Sequence, residues 1–397
     1  MTQARSPASS ATNERLAMQR GENAGLRCVA LLIGQLEVGG TEKQLCLLAR
    51  ELRLRGVEVH VLVLSRGGPY EQTLREAGVE VHLLGFGREP SGPSMLKRNL
   101  TAFVRLVGLL RDLRPDVLHA FLHEGHMIGA VAARLARFPL VLVAGRRGLR
   151  DFEQGRGWVL ALERVVTRVT DHVVANAVAV AEEARVVEGV PARKVSVIYN
   201  GLPASAFHEA EPECVDTSWP VVVCVANLRS VKGLQFLVDA AGMLLRRGRP
   251  CTVVLVGEGA ERGRLEAQAS ALGVDVRFVG AHAETAGFLA CADVVVLPSL
   301  SEGLSNAVME AMAAGRPVVA TSVGGTPELL EGRGVLVPAA DPVALAEGIA
   351  RLVDDPDLAA SLGAAARAWA GKNLNLDVMV DEHVHLYHRL LETRRAG

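Results

Sequence analysis

The chain has 397 residues, of which 49% are hydrophobic and 4% aromatic, and its 43 Lys+Arg against 44 Asp+Glu leave a formal net charge of −1. That length accommodates two domains of ordinary size, each with its own core. Aromatics this scarce, with no basic clusters interleaved among them, exclude a nucleic-acid reader, and no apolar run reaches the roughly 18 uninterrupted residues of a membrane span.

The first 24 residues, MTQARSPASSATNERLAMQRGENA, are small and polar. They lack the apolar core of roughly 7–15 residues that marks a signal peptide, so they read as a disordered leader. RCVALLIGQL is an unbroken apolar strand. A turn at Gly39-Gly40-Thr41-Glu42 opens the helix TEKQLCLLARELRLRG, whose stripe is Leu45, Leu48 and Leu52. VEVHVLVLS, VEVHLLGF, PDVLHAFL, PLVLVAG and DHVVANA continue the strands, and such runs fit a parallel sheet covered on both faces. SMLKRNLTAFVRLVGLLRDLRP, from Ser94 to Pro115, is an amphipathic helix carrying Lys97, Arg98, Arg105, Arg111 and Arg114. One face can cover the sheet while the other meets an anionic membrane surface.

The composition turns polar and irregular from Glu209 to Ser218, which reads as a linker. A second series of strands follows: WPVVVCVANL, PCTVVLVGEG, VDVRFVGA, ADVVVLPS, PVVATSVG and GVLVP, each trailed by helical sequence. The expected organisation is α/β: a leader (1–24), a first Rossmann-like domain (25–208), a second (219–375), and a terminal helix (376–397), with a cleft between the domains. Charge divides along the same line. Residues 1–200 carry 27 Lys+Arg and 20 Asp+Glu, residues 201–397 carry 16 and 24, so the basic half is expected to meet an anionic partner or surface. The six cysteines (28, 46, 214, 224, 251, 291) show no CxxC spacing and read as reduced core residues.

The segment from Pro298 to Glu328 is the most informative about chemistry. Glu302 and Glu310 stand eight positions apart where a buried strand gives way to a helix expected over Ala307–Ala314. Free amides at that helix N-terminus suit phosphate, and the carboxylates suit sugar hydroxyls. The loop Gly324-Gly325-Thr326-Pro327-Glu328 should line the same cleft. Arg229 and Lys232, in ANLRSVKG, put two cations at a strand's carboxyl end, where they can neutralise a departing diphosphate. Gly39 and Gly40 allow close backbone approach to an anion. VGEGAERGRLE begins at Val256 and contains Gly257, but its G-x-G-x-x-x-G spacing is one residue too long for a dinucleotide fingerprint, which disfavours a nicotinamide enzyme. His119, His123 and His126 do not form a zincin motif. Arg146 and Arg147, in AGRRGLR, read equally as acceptor or phosphate contacts and as surface charges. His383, His385 and His388 read as solvated helix surface.

The Glu-x7-Glu element, Gly303, Asn306 and GGTPE resemble the retaining glycosyltransferases of family 4, which have the GT-B fold. The resemblance covers residues 25–397 and is most specific from Val221 to Pro338. It implies an acceptor domain first and a nucleotide-sugar domain second, with the last helix returning to the first. Glu302 would hold sugar hydroxyls, Glu310 the nucleotide ribose, and Arg229 with Lys232 the leaving diphosphate. The backbone of Gly303, Leu304, Ser305 and Asn306, together with Gly39 and Gly40, would complete the cradle. Gly257 would lie beside the base, and His123, preferred over His119, would face the transferred sugar, with His126 as loop filler. No metal or other cofactor is implied. The acceptor would be a glycan or a lipid-linked sugar of envelope or exopolysaccharide synthesis, handled by a cytoplasmic protein peripheral to the inner membrane face. Asn200-Gly201 matches the family, but Leu202-Pro203 replaces its usual apolar residue and Asp. The alternatives are a sugar-nucleotide epimerase of this fold and a non-catalytic sugar-nucleotide-binding scaffold.

Overall fold

The computed structural model describes residues 25–87, 93–149, 157–213 and 215–396. The leader and Cys214 lie outside them. Seven strands, β1 (Cys28–Gln35), β2 (Glu58–Arg66), β3 (Glu80–Leu83), β4 (Val117–Phe121), β5 (Val141–Arg146), β6 (His172–Ala175) and β7 (Val195–Val197), form a sheet in the order β3-β2-β1-β4-β5-β6-β7. Six more, β8 (Val221–Val225), β9 (Thr252–Val256), β10 (Asp275–Gly280), β11 (Val294–Leu297), β12 (Val318–Thr321) and β13 (Val335–Val337), form a second in the order β10-β9-β8-β11-β12-β13. Among the described residues, every pairing between these strands is parallel.

Helices α1 (Gly40–Leu54), α2 (Pro69–Glu76), α3 (Pro93–Leu113), α4 (Leu122–Ala136), α5 (Gly157–Arg168) and α6 (Val178–Val186) accompany the first sheet. The second has α7 (Leu234–Arg246), α8 (Arg262–Leu272), α9 (Ala286–Ala290), α10 (Asn306–Ala313), α11 (Thr326–Leu330), α12 (Pro342–Asp354) and α13 (Pro356–Asn373); α14 (Leu376–Ala396) ends the chain. The unbroken apolar strands follow from burial on both sides. In β1, Val29, Leu31 and Ile33 join one core with Leu45 and Leu48 of α1, while Ala30 and Leu32 join another with Leu106 and Leu110 of α3. In the second domain Val223 and Val295 face one cluster, Val222 and Val294 the other.

The strand order reverses between β1 and β4 and again between β8 and β11, and the crevices outside the carboxyl ends of such strands are where open α/β sheets bind ligands. Two crossings join the domains. After β7 the chain makes an isolated bridge between Leu202 and Asn375, with Leu202 N donating to Leu374 O at 2.7 Å and Leu376 N donating to Leu202 O at 2.9 Å. Helix α14 then returns to the first domain, burying Met379, Val380, Leu386, Tyr387 and Leu391 in the core that contains β1 and α1.

Three features differ from the sequence reading. Strand β7 escapes the hydrophobic pattern because it is three residues long and only half-buried. Thr326-Pro327-Glu328 open a short helix in place of a loop. His383 is fully buried, with Nδ1 2.8 Å from Met379 O, because α14 turns that face onto the first sheet; it is no solvated histidine. The five described cysteines are free, and four of them are buried.

Three buried histidines set an acid limit on the fold. Burial, with help from nearby charges, holds His119 well below the usual imidazole range. Burial and Arg147 take His383 to about 3, and burial and Arg146 take His126 to about 3. The unfolded chain binds these protons near pH ~6.5 and the folded chain does not, so stability is complete above that pH and lost as pH falls toward 3. Each group contributes a slope of up to about 1.4 kcal/mol per pH unit. The thermal midpoint should fall between pH 7.5 and 5, before most carboxylates titrate, and His383→Gln should flatten that slope. A midpoint that is level across the window would contradict neutral burial.

Candidate active site at the domain cleft

The loop after β11 is held from below. Thr321 Oγ1 donates to Ser299 O at 2.6 Å, and Ser299 Oγ donates to Glu302 Oε1 at 2.6 Å. Lys232 Nζ reaches the same oxygen at 2.5 Å. Lys232 comes from the turn after β8, which is clamped on this loop by Leu300 N donating to Val231 O at 2.8 Å. The clamp needs Gly233: it lies at φ +63°, and a Cβ there would stand 2.1 Å from Pro298 O. Glu302 and Lys232 thus meet at the switch point of the second sheet. Arg229, at the start of that turn, is exposed.

Eight residues on, Glu310 points from α10 toward the first domain. Its Oε1 accepts from Lys43 Nζ at 2.6 Å and its Oε2 from Thr285 Oγ1 at 3.1 Å. A cavity of about 310 Å³ opens beside it, with Lys43, Thr285, Leu289, Arg316 and Arg367 in its walls. Helix α10 begins at Asn306 after Ser305, whose hydroxyl caps Val308 N at 3.4 Å, while Leu304 is buried in the core. The remaining amides of that first turn are unsatisfied within the helix and supply positive dipole.

Asn306 is the centre of a polar seam between the domains. Its Oδ1 accepts from Asn200 Nδ2 at 2.8 Å, and its Nδ2 donates to Gly40 O at 3.2 Å. Asn200 Oδ1 in turn accepts from Arg147 Nη1 at 2.7 Å. Gln44 donates to Gly201 O at 3.0 Å and accepts from Gly201 N at 2.9 Å. Pro203 stands where the family carboxylate is missing, and Leu202 before it is buried in the core; Gln44 and Asn200 hold this junction. A second clasp lies at GGTPE. Glu328 accepts from Val178 N at 2.8 Å and Ala179 N at 2.9 Å, capping α6 of the first domain, and from Tyr199 Oη at 3.1 Å. Gly39 and Gly40 stand at the N-terminus of α1, facing this seam through the Gly40 carbonyl.

Four glycines let backbones meet here. A Cβ on Gly303 would lie 2.3 Å from Arg147 O, and one on Gly324 (φ +53°) 1.9 Å from Glu302 O. Gly325 N donates to Gly303 O at 2.8 Å. Gly257 (φ +152°) ends β9 with a would-be Cβ 2.0 Å from Ala226 O, so its smallness seats the β9 loop on the β8 loop.

On the first domain, His123 sits in the first turn of α4 at the carboxyl end of β4, with Nε2 3.4 Å from Glu188 Oε1. Arg146 is buried: its guanidinium donates to Glu188 at 2.8 and 3.0 Å and lies 3.2 Å from His126 Nδ1. Burial pushes the Glu188 carboxyl up, but hydrogen bonds from His123 and Arg146 outweigh it and hold the group far below the usual range. His126 is a buried helix residue bonded to Thr170 at 2.7 Å, which corrects its reading as loop filler. Arg147 is also buried, with its guanidinium 5.1 Å over the Phe121 ring. Burial lowers it to about 10, so it remains cationic at neutral pH. Neither arginine is a surface charge; both are committed to internal partners because they end β5 beneath the seam. His119 is inside β4, 2.7 Å from the Tyr387 hydroxyl.

Sequence motifs pointed to neither Lys43, Gln44 nor Glu188, and gave Glu328 no role of its own. Lys43 and Gln44 directly follow the Gly-Gly turn in the first turns of α1, the one local signal available.

Comparison with known proteins accords with this geometry. The family described as Glycosyl transferases group 1 matches residues 219–355, and the Glycosyl transferase 4-like domain matches residues 39–201. The chain is 30% identical to a D-inositol 3-phosphate glycosyltransferase of Streptomyces scabiei, over 85% of this chain and 83% of that one. It is 30% identical to alpha-D-kanosaminyltransferase of Streptomyces kanamyceticus over 43% of this chain, a match that spans less than half, 46%, of that protein. Among solved structures it resembles HepE of Anabaena in complex with UDP, with a TM-score of 0.78 and 23% identity, covering 92% of this chain and 100% of that one. The chain belongs to the group 1 glycosyltransferases of GT-B fold, and it is a glycosyltransferase.

The Glu328 clasp is testable by itself. Glu328→Ala removes both caps of α6, a loss of roughly 0.5–2 kcal/mol for a helix cap. It should lower the thermal midpoint and raise the radius of gyration seen by small-angle scattering as the domains part. An unchanged radius would mean that the seam at Asn306 holds the domains alone.

Proposed function

We propose that the protein transfers a sugar from a nucleoside diphosphate sugar, with retention at the anomeric carbon, to a glycan or lipid-linked acceptor of envelope or exopolysaccharide synthesis. The observation that carries this reading is the meeting of Lys232, Ser299 and Glu302 at the switch point of the second sheet, with Glu310 and the α10 N-terminus alongside. Lys232 and exposed Arg229 would balance the departing diphosphate, Glu302 would hold sugar hydroxyls and Glu310 the ribose. The cavity beside Glu310 would take the nucleotide, and Gly257 would border its base. On the facing domain, His123 would lie toward the transferred sugar, with Gly39 and Gly40 at the diphosphate. The anomeric bond to the phosphate oxygen breaks as the acceptor hydroxyl attacks from the same face, and the hydroxyl proton passes to the departing phosphate. Enclosure between the domains keeps water out. Cations in place of a metal ion make the step independent of added Mg²⁺. HepE, solved with UDP-glucose, makes UDP the first nucleotide to try.

A thermal-shift panel of UDP, GDP, ADP and dTDP tests the donor site. One diphosphate should raise the wild-type midpoint and leave Glu310→Ala unmoved; no response to any of them would remove the main support for a nucleotide-sugar donor. With that donor, Lys232→Ala should lower kcat by about 10²–10³, or roughly 2.7–4 kcal/mol of transition-state stabilisation. Product NMR reads the anomeric outcome, and inverted product would sink retention.

The membrane side of the proposal rests on α3. Leu96, Leu100 and Val104 recur every four residues and are 73%, 61% and 62% exposed, with Lys97, Arg98 and Arg105 also exposed beside them. An apolar stripe flanked by cations fits an anionic bilayer surface. No described helix is long and apolar enough to cross a membrane. Lys97→Glu with Arg105→Glu should abolish sedimentation with anionic vesicles, whereas unchanged sedimentation would rule out docking through this face.

A further inference from the structure

The amino ends of β2 and β3, at the edge of the first sheet and opposite the strand ends that face the cleft, collect a second group of chemically able side chains. Parallel register pairs His60 with Glu80 and Leu62 with His82. Period-two alternation places His60, Glu80 and His82 on the sheet face that also carries Leu62 and Leu64. His60 is 3% exposed, His82 22% and Glu80 70%.

Three donor atoms come together there. His60 Nδ1 lies 3.3 Å from His82 Nε2 and 3.4 Å from Glu80 Oε2, and His82 Nε2 lies 3.6 Å from that same oxygen. These separations exceed the roughly 2.7–3.2 Å of ordinary N–H hydrogen bonds. A tetrahedral zinc ion with bonds of ~2.0–2.2 Å sets its donors about 3.3–3.6 Å apart. An octahedral ion with bonds of ~2.0–2.1 Å would set neighbouring donors only about 2.8–3.0 Å apart. Two imidazoles and a carboxylate are also the donor set that zinc accepts and magnesium does not favour.

We propose that His60, His82 and Glu80 bind one Zn²⁺ ion through Nδ1, Nε2 and Oε2 respectively, pinning the edge strand β3 to β2. The other nitrogen of His60 supports this: Nε2 lies 3.0 Å from Glu58 Oε1, the carboxylate partner that fixes the tautomer and orientation of a metal-binding histidine. Solvent reaches exposed Glu80, so water completes the fourth position. Cys28, Glu58 and His60 form a competing group nearby. That group offers one imidazole where His60, His82 and Glu80 offer two, and Cys28→Ser tells the two apart. The site stands apart from the transfer reaction and does not rest on it.

The test uses the full chain, stripped with a chelator and titrated with Zn²⁺ against a chromogenic indicator at pH 7.5. Wild type should bind one equivalent and gain thermal stability. His82→Gln, at a partly exposed position that should fold, should lose both effects, Glu58→Gln should weaken binding about 10–100-fold, and Cys28→Ser should bind as wild type. Co²⁺ in place of Zn²⁺ should give the intense visible absorption of a tetrahedral site. Absence of stoichiometric binding, a weak octahedral Co²⁺ spectrum, or loss in Cys28→Ser with retention in His82→Gln would each overturn the proposal.

Discussion

The site depends on backbone meeting backbone where the domains touch. Gly303 must lie against the Arg147 carbonyl of the first domain, and within the second domain Gly324 and Gly325 must lie against Glu302 and Gly303, at separations that leave no room for a Cβ. Only after that approach can Asn306 reach Asn200 and Gly40, Lys43 reach Glu310, and Glu328 reach the start of α6. Each of those contacts is directional and none is apolar. They set how the domains meet, together with an apolar cluster that joins Ala175, Ala177 and Val180 of the first domain to Leu304 and Leu329 of the second.

The cleft is electrostatically prepared in pairs. Lys232 sits on Glu302 and Lys43 on Glu310. Glu302 is only 9% exposed and Glu310 14% in their side chains, so each carboxylate has given up most of its water and needs its cation. A ligand carrying negative charge would share or displace those cations, and one offering hydroxyls could donate to carboxylate oxygens already oriented by Ser299 and Thr285. Because Lys43 and Glu310 come from different domains, whatever binds at Glu310 acts on the domain contact as well. On the other wall, the Arg146–Glu188 pair and His126 form a buried polar plug that anchors the start of α4, and with it His123, to β5 and the segment after α6. The chain passes between the two bodies at Leu202 and again on entering α14, and these two crossings are bonded to each other.

The fold was largely legible in the sequence because strands buried on both faces must be apolar throughout, and such runs are unmistakable. Twelve of the strands carry a readable apolar run, although β3 and β10 at the sheet edges are only partly buried; β7 does not, since three half-buried edge residues carry no pattern. The residues after β11 were legible for a local reason as well. Glu302 and Glu310 share one loop and helix, and Ser305 at the start of α10 is a standard capping residue.

What the sequence could determine by itself was therefore the succession of strands along the chain and their grouping into two parallel sheets. Tertiary structure alone decided the rest. Lys43 and Glu310 are 267 positions apart, and Glu328 lies 150 from the amide it caps. His383 belongs to a helix expected to return to the first domain, but only the packing decides that its face turns inward. Arg146 and Arg147 look like any pair of loop cations until the end of β5 places them beneath the seam. No local pattern encodes such pairings, because they arise from the packing of elements that are far apart in the chain and are specified only once both sheets exist.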